Sequence, residues 1–386
     1  MGKNFITDSI VYAGVDDRKI DLFESQYVVP NGVSYNSYVI LDEKVAVMDT
    51  VDGRMLDEWF PRLEAALDSR TPDYLVVSHM EPDHAAGIAA MAERYPEMKI
   101  VGNLKTFTMI SQFFGIDLSD RAETVKEGST LSLGKHTLQF LMAPMVHWPE
   151  VMVAYEQSER VLFSADAFGK FGALDTDEDW TDEARRYYFN IVGKYGAQVQ
   201  SLLKKVAALD VDMILPLHGP VLKENLGYYV GKYDAWSRYE PEEKGVFIAV
   251  SSIYGNTMRA ARELASMLEC RGVAVRVCDL AREDMAEAVG NAFRYSALVV
   301  ASSSYDAGVF PHMEHFLLHL RDKSFRNRRV AVVENGSWAP SAGKHMLTML
   351  GAMKDLEICE KMVSIRSSHN EGNLGELTYL ADWLPE

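Results

Sequence analysis

Histidines and acids recur in this chain where apolar runs stop. The run Tyr74-Leu75-Val76-Val77-Ser78 is followed at once by His79, Glu81, Asp83 and His84, just ahead of a helix-compatible stretch that begins Ala85-Ala86-Gly87. His147 follows the apolar run 138–142, Asp166 follows Val161-Leu162-Phe163, and His218 follows Met213-Ile214-Leu215. A single His or Asp behind a strand is ordinarily a cap or turn residue. Four such groups within six positions are another matter, because charged side chains beside a buried strand lose solvation that only a partner or a cation restores. The pattern calls for a layered domain whose strand ends converge on one edge, where seven nitrogen and oxygen donors can surround two metal ions.

The donor types narrow the metal. Imidazoles suit iron, zinc and other transition metals, whereas carboxylates favour charge-rich, oxygen-bridged centres. Glu81, Asp83 and Asp166 supply three negative charges, which leaves one positive charge against two divalent cations. A bridging hydroxide cancels that charge, and such a site tolerates one-electron oxidation better than an all-histidine one. Iron is favoured on this ground, with a carboxylate-rich dizinc hydrolase as the alternative. Cys270, Cys278 and Cys359 form no CxxC pair, so neither a zinc ribbon nor a rubredoxin-type iron centre can be built from them. Each reads as a small buried hydrophobe in a reducing compartment.

At 386 residues the chain exceeds one typical core and suits two domains. Up to about Tyr239, short apolar runs such as 38–41 and 45–48 alternate with turns and a few helices, as a mixed, β-rich layered domain requires. The polar stretch 237–244, with Pro241 inside it, then interrupts the pattern and marks the expected boundary, giving domains over 1–240 and 245–386. A net charge of −17 opposes a nucleic-acid partner. No apolar run approaches the ~20 residues that span a bilayer, and the segment from Met1 to Asp8 lacks a leader pattern, so a cytoplasmic location is expected.

Beyond the boundary, the apolar runs 246–250, 273–277, 297–301, 330–333 and 358–365 alternate with helical patterns, which predicts a parallel sheet covered on both faces. The first run leads into Ser251-Ser252-Ile253-Tyr254-Gly255-Asn256-Thr257 and a helix over 258–268. Hydroxyls, a flexible glycine and a helix N-terminus in that order suit an anionic phosphate, although the same residues also make an ordinary cap. Ser302-Ser303-Ser304-Tyr305-Asp306-Ala307-Gly308 follows the third run and Asn335-Gly336-Ser337-Trp338 the fourth. In a doubly wound sheet, loops at these strand ends form the ligand crevice. Tyr305 and Trp338 suit stacking on a flat ring.

The metal run resembles the motif of the metallo-β-lactamase superfamily, with Glu81 where the dizinc hydrolases usually have histidine. That exchange is similar to the flavodiiron proteins, also called A-type flavoproteins. Met145-Val146-His147-Trp148-Pro149-Glu150, Ser164-Ala165-Asp166-Ala167-Phe168-Gly169 and Leu217-His218-Gly219-Pro220 agree with it. The resemblance covers roughly residues 20–386. It implies an N-terminal metallo-β-lactamase-like αββα sandwich followed by a flavodoxin-like, doubly wound five-stranded parallel sheet. By this likeness His79, Glu81 and His147 hold one iron, Asp83, His84 and His218 the other, and Asp166 bridges them. Ser252, Ile253, Tyr254, Gly255, Asn256 and Thr257 cradle an FMN phosphate, and Ser303, Ser304, Tyr305, Asp306, Gly308, Asn335, Gly336, Ser337 and Trp338 line the flavin. The second loop has Asp306-Ala307 where paired asparagines are frequent in the family.

The activity implied is reduction of O2 to water, NO to nitrous oxide, or both, at a non-haem di-iron site fed by FMN. The resemblance also implies a head-to-tail homodimer or a dimer of dimers, and an external donor, rubredoxin or a reduced deazaflavin. Tyr187, Tyr188 and Tyr195 are candidates for a hydroxyl near the metals, against core packing as the ordinary role. Two other functions remain at this point: a zinc-dependent hydrolase with a regulatory flavodoxin domain, which Glu81 opposes, and an electron-transfer flavoprotein with a vestigial metal fold.

Overall fold

Side chains that alternate with a period of two build the first of two compact units. In the computed structural model, which describes residues 4–385, one unit runs to Tyr188 and resumes over Ala197–Asp234, and the other takes Phe189–Gly196 and the chain from Ala235 onward. Met1–Lys3, part of the segment examined for a leader, and Glu386 lie outside the described residues. The packing boundary after Asp234 precedes the proline-containing stretch 237–244, whose last residues already belong to the strand Glu243–Ser251.

The first unit contains two large sheets, besides the two-stranded pairs Val15–Asp17 with Val33–Tyr35 and Leu22–Phe23 with Tyr27–Val28. One orders Asn4–Phe5, Ile10–Tyr12, Tyr38–Ile40, Ala46–Met48, Tyr74–Val76, Lys99–Gly102 and Ala122–Thr124, with antiparallel pairing up to Ala46–Met48 and parallel pairing beyond. The helices Leu56–Leu67, Ile88–Arg94 and Leu104–Phe114 provide the crossovers that parallel strands need. The last of these starts where the Asn103 side chain accepts from the Lys105 and Thr106 amides, and stops at Gly115, whose φ of 65° few other residues tolerate. The other sheet orders Thr130–Ser132, Thr137–Met142, Met152–Glu156, Val161–Phe163 and Met213–Leu215. Alternate residues such as Tyr38, Ile40, Met48 and Val76 from the first sheet and Phe140, Ala154, Phe163 and Leu215 from the second form one buried core. Two sheets packed face to face place their strand ends along common edges.

The second unit is a parallel sheet in the order Ala274–Asp279, Glu243–Ser251, Tyr295–Tyr305, Arg328–Asn335, with Leu356–Ile358 and Val363–Ile365 both pairing with the last of these. The fifth apolar run, expected as one strand over 358–365, is thus two short strands. Glu360 and Lys361 between them are exposed, and a strand packed on both faces could not bury their charges. Residues Val246, Ile248, Val250, Val299 and Ala301 pack against Ala260, Leu264 and Leu268 of the helix Asn256–Glu269. Tyr295–Tyr305 outruns its expected span because its end folds back on Gly308–Val309 as an antiparallel pair. Among the described residues no helix is long and apolar enough to cross a membrane.

Candidate metal centre and flavin crevice

The seven ionisable residues behind the strands of the first unit form two groups whose ligand atoms each lie within 4.8 Å of one another: His79, Glu81, His147 and Asp166, and Asp83, His84 and His218. In the first group the His147 Nε2 is 3.0 Å from Glu81 Oε2 and 3.2 Å from Asp166 Oδ2, and His79 Nε2 is 3.2 Å from each of those oxygens. In the second, His84 and His218 Nε2 are each 3.3 Å from Asp83 Oδ2 and 3.0 Å from each other. Asp166 joins the groups, its Oδ2 facing the first and its Oδ1 lying 3.4 Å from His84 Nε2 and 3.7 Å from His218 Nε2. His84 therefore turns its Nε2 inward. Asp83 and His84 sit on a short helix, Pro82–Ala85, that begins earlier than the helical stretch expected from Ala85.

These residues fit two cations. Donor atoms about 2.1 Å from a shared metal lie about 3.0–3.4 Å apart, which is the spacing found for every pair above but Asp166 Oδ1 and His218 Nε2. Both oxygens of Asp83 and of Asp166 are buried without a hydrogen-bond donor, an arrangement that is costly for carboxylates unless positive charge lies beside them. The electrostatics agree. Burial disfavours the charged His147 ring, yet the Asp166 carboxylate 3.2 Å away and a hydrogen bond with Glu81 outweigh that and raise its pKa to about 9. Burial likewise favours a neutral Asp166, yet His79, His147 and His84 hold it well below the usual carboxylate range. Without metal, imidazolium protons supply the positive charge that the carboxylates demand. The nitrogen and oxygen donor set, free of sulfur, suits iron, zinc or manganese.

Residues beyond the seven orient them. Glu150 Oε1 lies 2.8 Å from His79 Nδ1 and accepts from the Met80 amide at 2.8 Å. That bond leaves the His79 Nε2 lone pair for the interior. His218 Nδ1 lies 2.7 Å from the Ser34 carbonyl, while His84 Nδ1 is buried without a partner. Asp49, at φ 55° behind the strand Ala46–Met48, accepts from the Ser78 amide at 2.7 Å and so fixes the start of the ligand loop. The sequence reading passed over Glu150 and Asp49, although Asp49 carries the same sign as the ligands, an acid directly behind an apolar strand. A cavity of about 410 Å³ opens beside Glu81 and Asp83, lined also by Phe23, Glu24, Tyr35 and Arg54. Partial desolvation and the neighbouring Glu81 raise the Glu24 carboxyl to about 7. The buried Tyr187 ring packs with its centroid 5.5 Å from that of His218.

In the second unit, the ends of three adjacent strands bring the expected flavin residues to one edge of the sheet. Gly255, at φ 84°, turns the chain into the helix Asn256–Glu269 and donates its amide to Ser252 Oγ at 3.1 Å. Thr257 Oγ1 lies 2.9 Å from Ser303 Oγ, tying the first loop to the second. Tyr254 and Trp338 are 91% and 89% exposed, so neither packs against its own loops, while Tyr305 and Ile253 are less exposed. Asp306 and Ala307, both at positive φ, make the turn to Gly308. The Ser304 hydroxyl instead accepts from the Ser341 and Ala342 amides at 2.8 and 3.1 Å, which commits it to the next helix. Asn335 is buried and donates to the Ser367 carbonyl at 3.1 Å, and Ser367 also meets Ser337. Gly336 has Pro340 within 2.8 Å of where a Cβ would sit, so the loop closes only around glycine.

Residues 33–219 match the family model of the ODP family beta lactamase and residues 248–358 that of flavodoxin. The chain is 30% identical over 348 residues to the anaerobic nitric oxide reductase flavorubredoxin of Vibrio vulnificus (strain YJ016), covering 86% of this chain and 70% of that one. Among solved structures it superposes on rubredoxin oxygen:oxidoreductase from Desulfovibrio gigas with a TM-score of 0.91, 25% identity and 99% and 98% of the two chains covered. The flavodiiron protein from Giardia intestinalis, 23% identical, shares the fold with a TM-score of 0.94 over 100% and 96% of the two chains.

Proposed function

The chain belongs to the flavodiiron protein family, and from that membership we propose that it reduces O2 to water, NO to nitrous oxide, or both, at two irons held by His79, Glu81, Asp83, His84, His147, Asp166 and His218. It is an oxidoreductase that uses FMN and non-haem iron. In our reading residues 1–240 form the iron domain and 245–386 the FMN domain. The observation that carries the metal assignment is Asp166, whose two buried, donor-free oxygens face the two ligand groups separately.

Bound iron supplies redox-active Lewis acidity, and FMN takes up electrons in pairs and releases them singly. The protein's own part is positioning and charge. Glu150 and the Ser34 carbonyl hold the His79 and His218 rings by their outer nitrogens, which limits reorganisation as the charge of the centre changes. The neutral gases reach the ligands from the cavity beside Glu81. In the second unit the hydroxyls of Ser252 and Thr257 and the free amides at the start of Asn256–Glu269 receive the FMN phosphate, and the helix dipole favours its charge. Tyr254, Tyr305 and Trp338 offer the aromatic surface for the ring.

The electron donor is a separate redox partner. We propose rubredoxin, or a reduced deazaflavin, acting on a head-to-tail homodimer that seats the FMN of one subunit beside the irons of the other. The cytoplasm is the proposed site of action, and the three unpaired cysteines suit its reducing conditions. The deciding measurement is iron, zinc and FMN per chain in protein purified without oxygen, followed by parallel O2 and NO consumption. Two irons and one FMN are expected. Zinc with little iron, in cells grown with iron, would overturn the reading, as would a fully active monomer for the dimer.

A further inference from the structure

Five of the ten histidines in the sequence are accounted for by the metal centre and by His136, whose Nδ1 is held by Asp42. Two of the others stand one helical turn apart on Pro311–Asp322 in the flavodoxin unit. Residues four apart on a helix share a face, and here the consequence is exact convergence of two donors. The Nε2 atoms of His315 and His319 lie 3.0 Å apart, with ring centroids 4.5 Å apart at an interplanar angle of 54°. His84 and His218 in the metal centre present the same figures, with 3.0 Å between Nε2 atoms, 4.5 Å between centroids and an angle of 60°. Two imidazoles outside the iron site thus stand in the arrangement that two candidate ligands take inside it.

We propose that His315 and His319 form a second, surface metal site that takes a tetragonal transition-metal cation of the Cu(II) or Ni(II) class. With metal–nitrogen distances of about 2.0–2.1 Å, two nitrogens at a right angle lie about 2.9 Å apart, and at the tetrahedral angle about 3.3 Å apart. The observed 3.0 Å fits adjacent corners of a square. Square and tetragonal nitrogen sites select Cu(II) or Ni(II) over zinc, and Cu(II) stands highest in the affinity order. His315 is exposed and His319 half-buried, so water can fill the remaining positions. Burial and then the charges of His315 and Lys323 hold the His319 ring below the ordinary histidine range, which keeps it neutral and ready to ligate at neutral pH. Lys323 donates its ammonium to the Asn190 carbonyl, and Asp322 partly offsets its charge at His319. In the metal-free state one neutral ring donates its Nε2–H to the other, and on metal binding that ring takes the Nδ1–H tautomer so that both Nε2 lone pairs face the cation.

The test uses full-length protein loaded with iron and FMN. Cu(II) is titrated in under air, excess is removed by desalting, and copper and iron are counted per chain while the copper is examined by electron paramagnetic resonance. The expected result is one copper per chain without loss of iron, with a tetragonal spectrum split by two nitrogens. His319→Gln and His315→Gln are each expected to weaken binding at least tenfold, whereas His312→Gln, an exposed histidine on the same helix, leaves it unchanged. Both substituted positions lie on the surface, so folding is preserved and checked by FMN retention. Binding that is equal in the three variants and the parent, copper that enters only as iron leaves, or a spectrum with one nitrogen would each overturn the proposal.

Discussion

Replacing Glu150 tests whether a residue that touches no metal decides how firmly one iron is held. The carboxylate is fully buried and accepts two hydrogen bonds of 2.8 Å, from the His79 ring and from the Met80 amide. Hydrogen bonds to a charged group contribute about 1.5–3 kcal/mol each, and loss of an outer partner to a ligating histidine costs about ten- to a hundredfold in metal affinity. At 1.36 kcal/mol per decade that range is about 1.4–2.7 kcal/mol. Glu150→Gln keeps the size and an acceptor oxygen and loses only the charge, so about tenfold is expected. Glu150→Leu orphans both donors in a dry site, and about a hundredfold follows. Only the position built from His79, Glu81 and His147 should weaken, because the His218 ring depends on the Ser34 carbonyl instead. Competition with a graded iron chelator reads this directly: one of two irons is expected to leave at about a tenfold lower chelator concentration in Glu150→Gln, with FMN content and urea unfolding of the loaded protein unchanged. Two irons released together, or both held as in the parent, would refute the reasoning.

Arg328 is buried in the second unit and donates to the carbonyls of Tyr295, Tyr239, Phe293, Arg326 and Asn327, with burial pushing its pKa down to about 10. Arg328→Met should lower stability by about 2–3 kcal/mol, since the orphaned acceptors outweigh the relief of a buried charge; a urea midpoint equal to the parent's would contradict this. Thr257→Val removes a buried hydroxyl from the phosphate loop and should weaken FMN about tenfold or more, read from recovery of flavin fluorescence on dilution. Chelating all metal from the loaded protein should lower the melting temperature of the first unit, because metal bound only by the folded ligand set adds its binding free energy to stability, and the buried oxygens of Asp83 and Asp166 then lose it. A calorimetric trace that does not move on chelation would count against a metal role for those residues.

The strands were legible because their cause is local. The short apolar runs Tyr38–Ile40 and Ala46–Met48, buried at every position, and the longer apolar runs of the second unit follow from both faces of a strand being covered, and that is written in neighbouring residues. The seven ionisable residues of the metal centre were visible for a related reason: each follows an apolar strand within a few residues, where its solvation is hard to keep. Other features had no local sign. The broken fifth strand turned on whether Glu360 and Lys361 would be covered. Ser304, a natural flavin contact by position, is taken by the Ser341 and Ala342 amides from a helix that begins 38 residues later. Phe189–Gly196 leaves the first unit for the second, where Phe189 stacks on Phe293 at 4.0 Å.

What the sequence determined by itself was the kind of element at each point and the kind of donor at each strand end. Which donors meet was decided by tertiary structure alone. Glu150 reaches His79 across 71 positions and Asp166 turns one oxygen to each ligand group, contacts that exist only once two sheets have packed. Their distances are set by the packing of whole side chains, and no short stretch of chain contains that information.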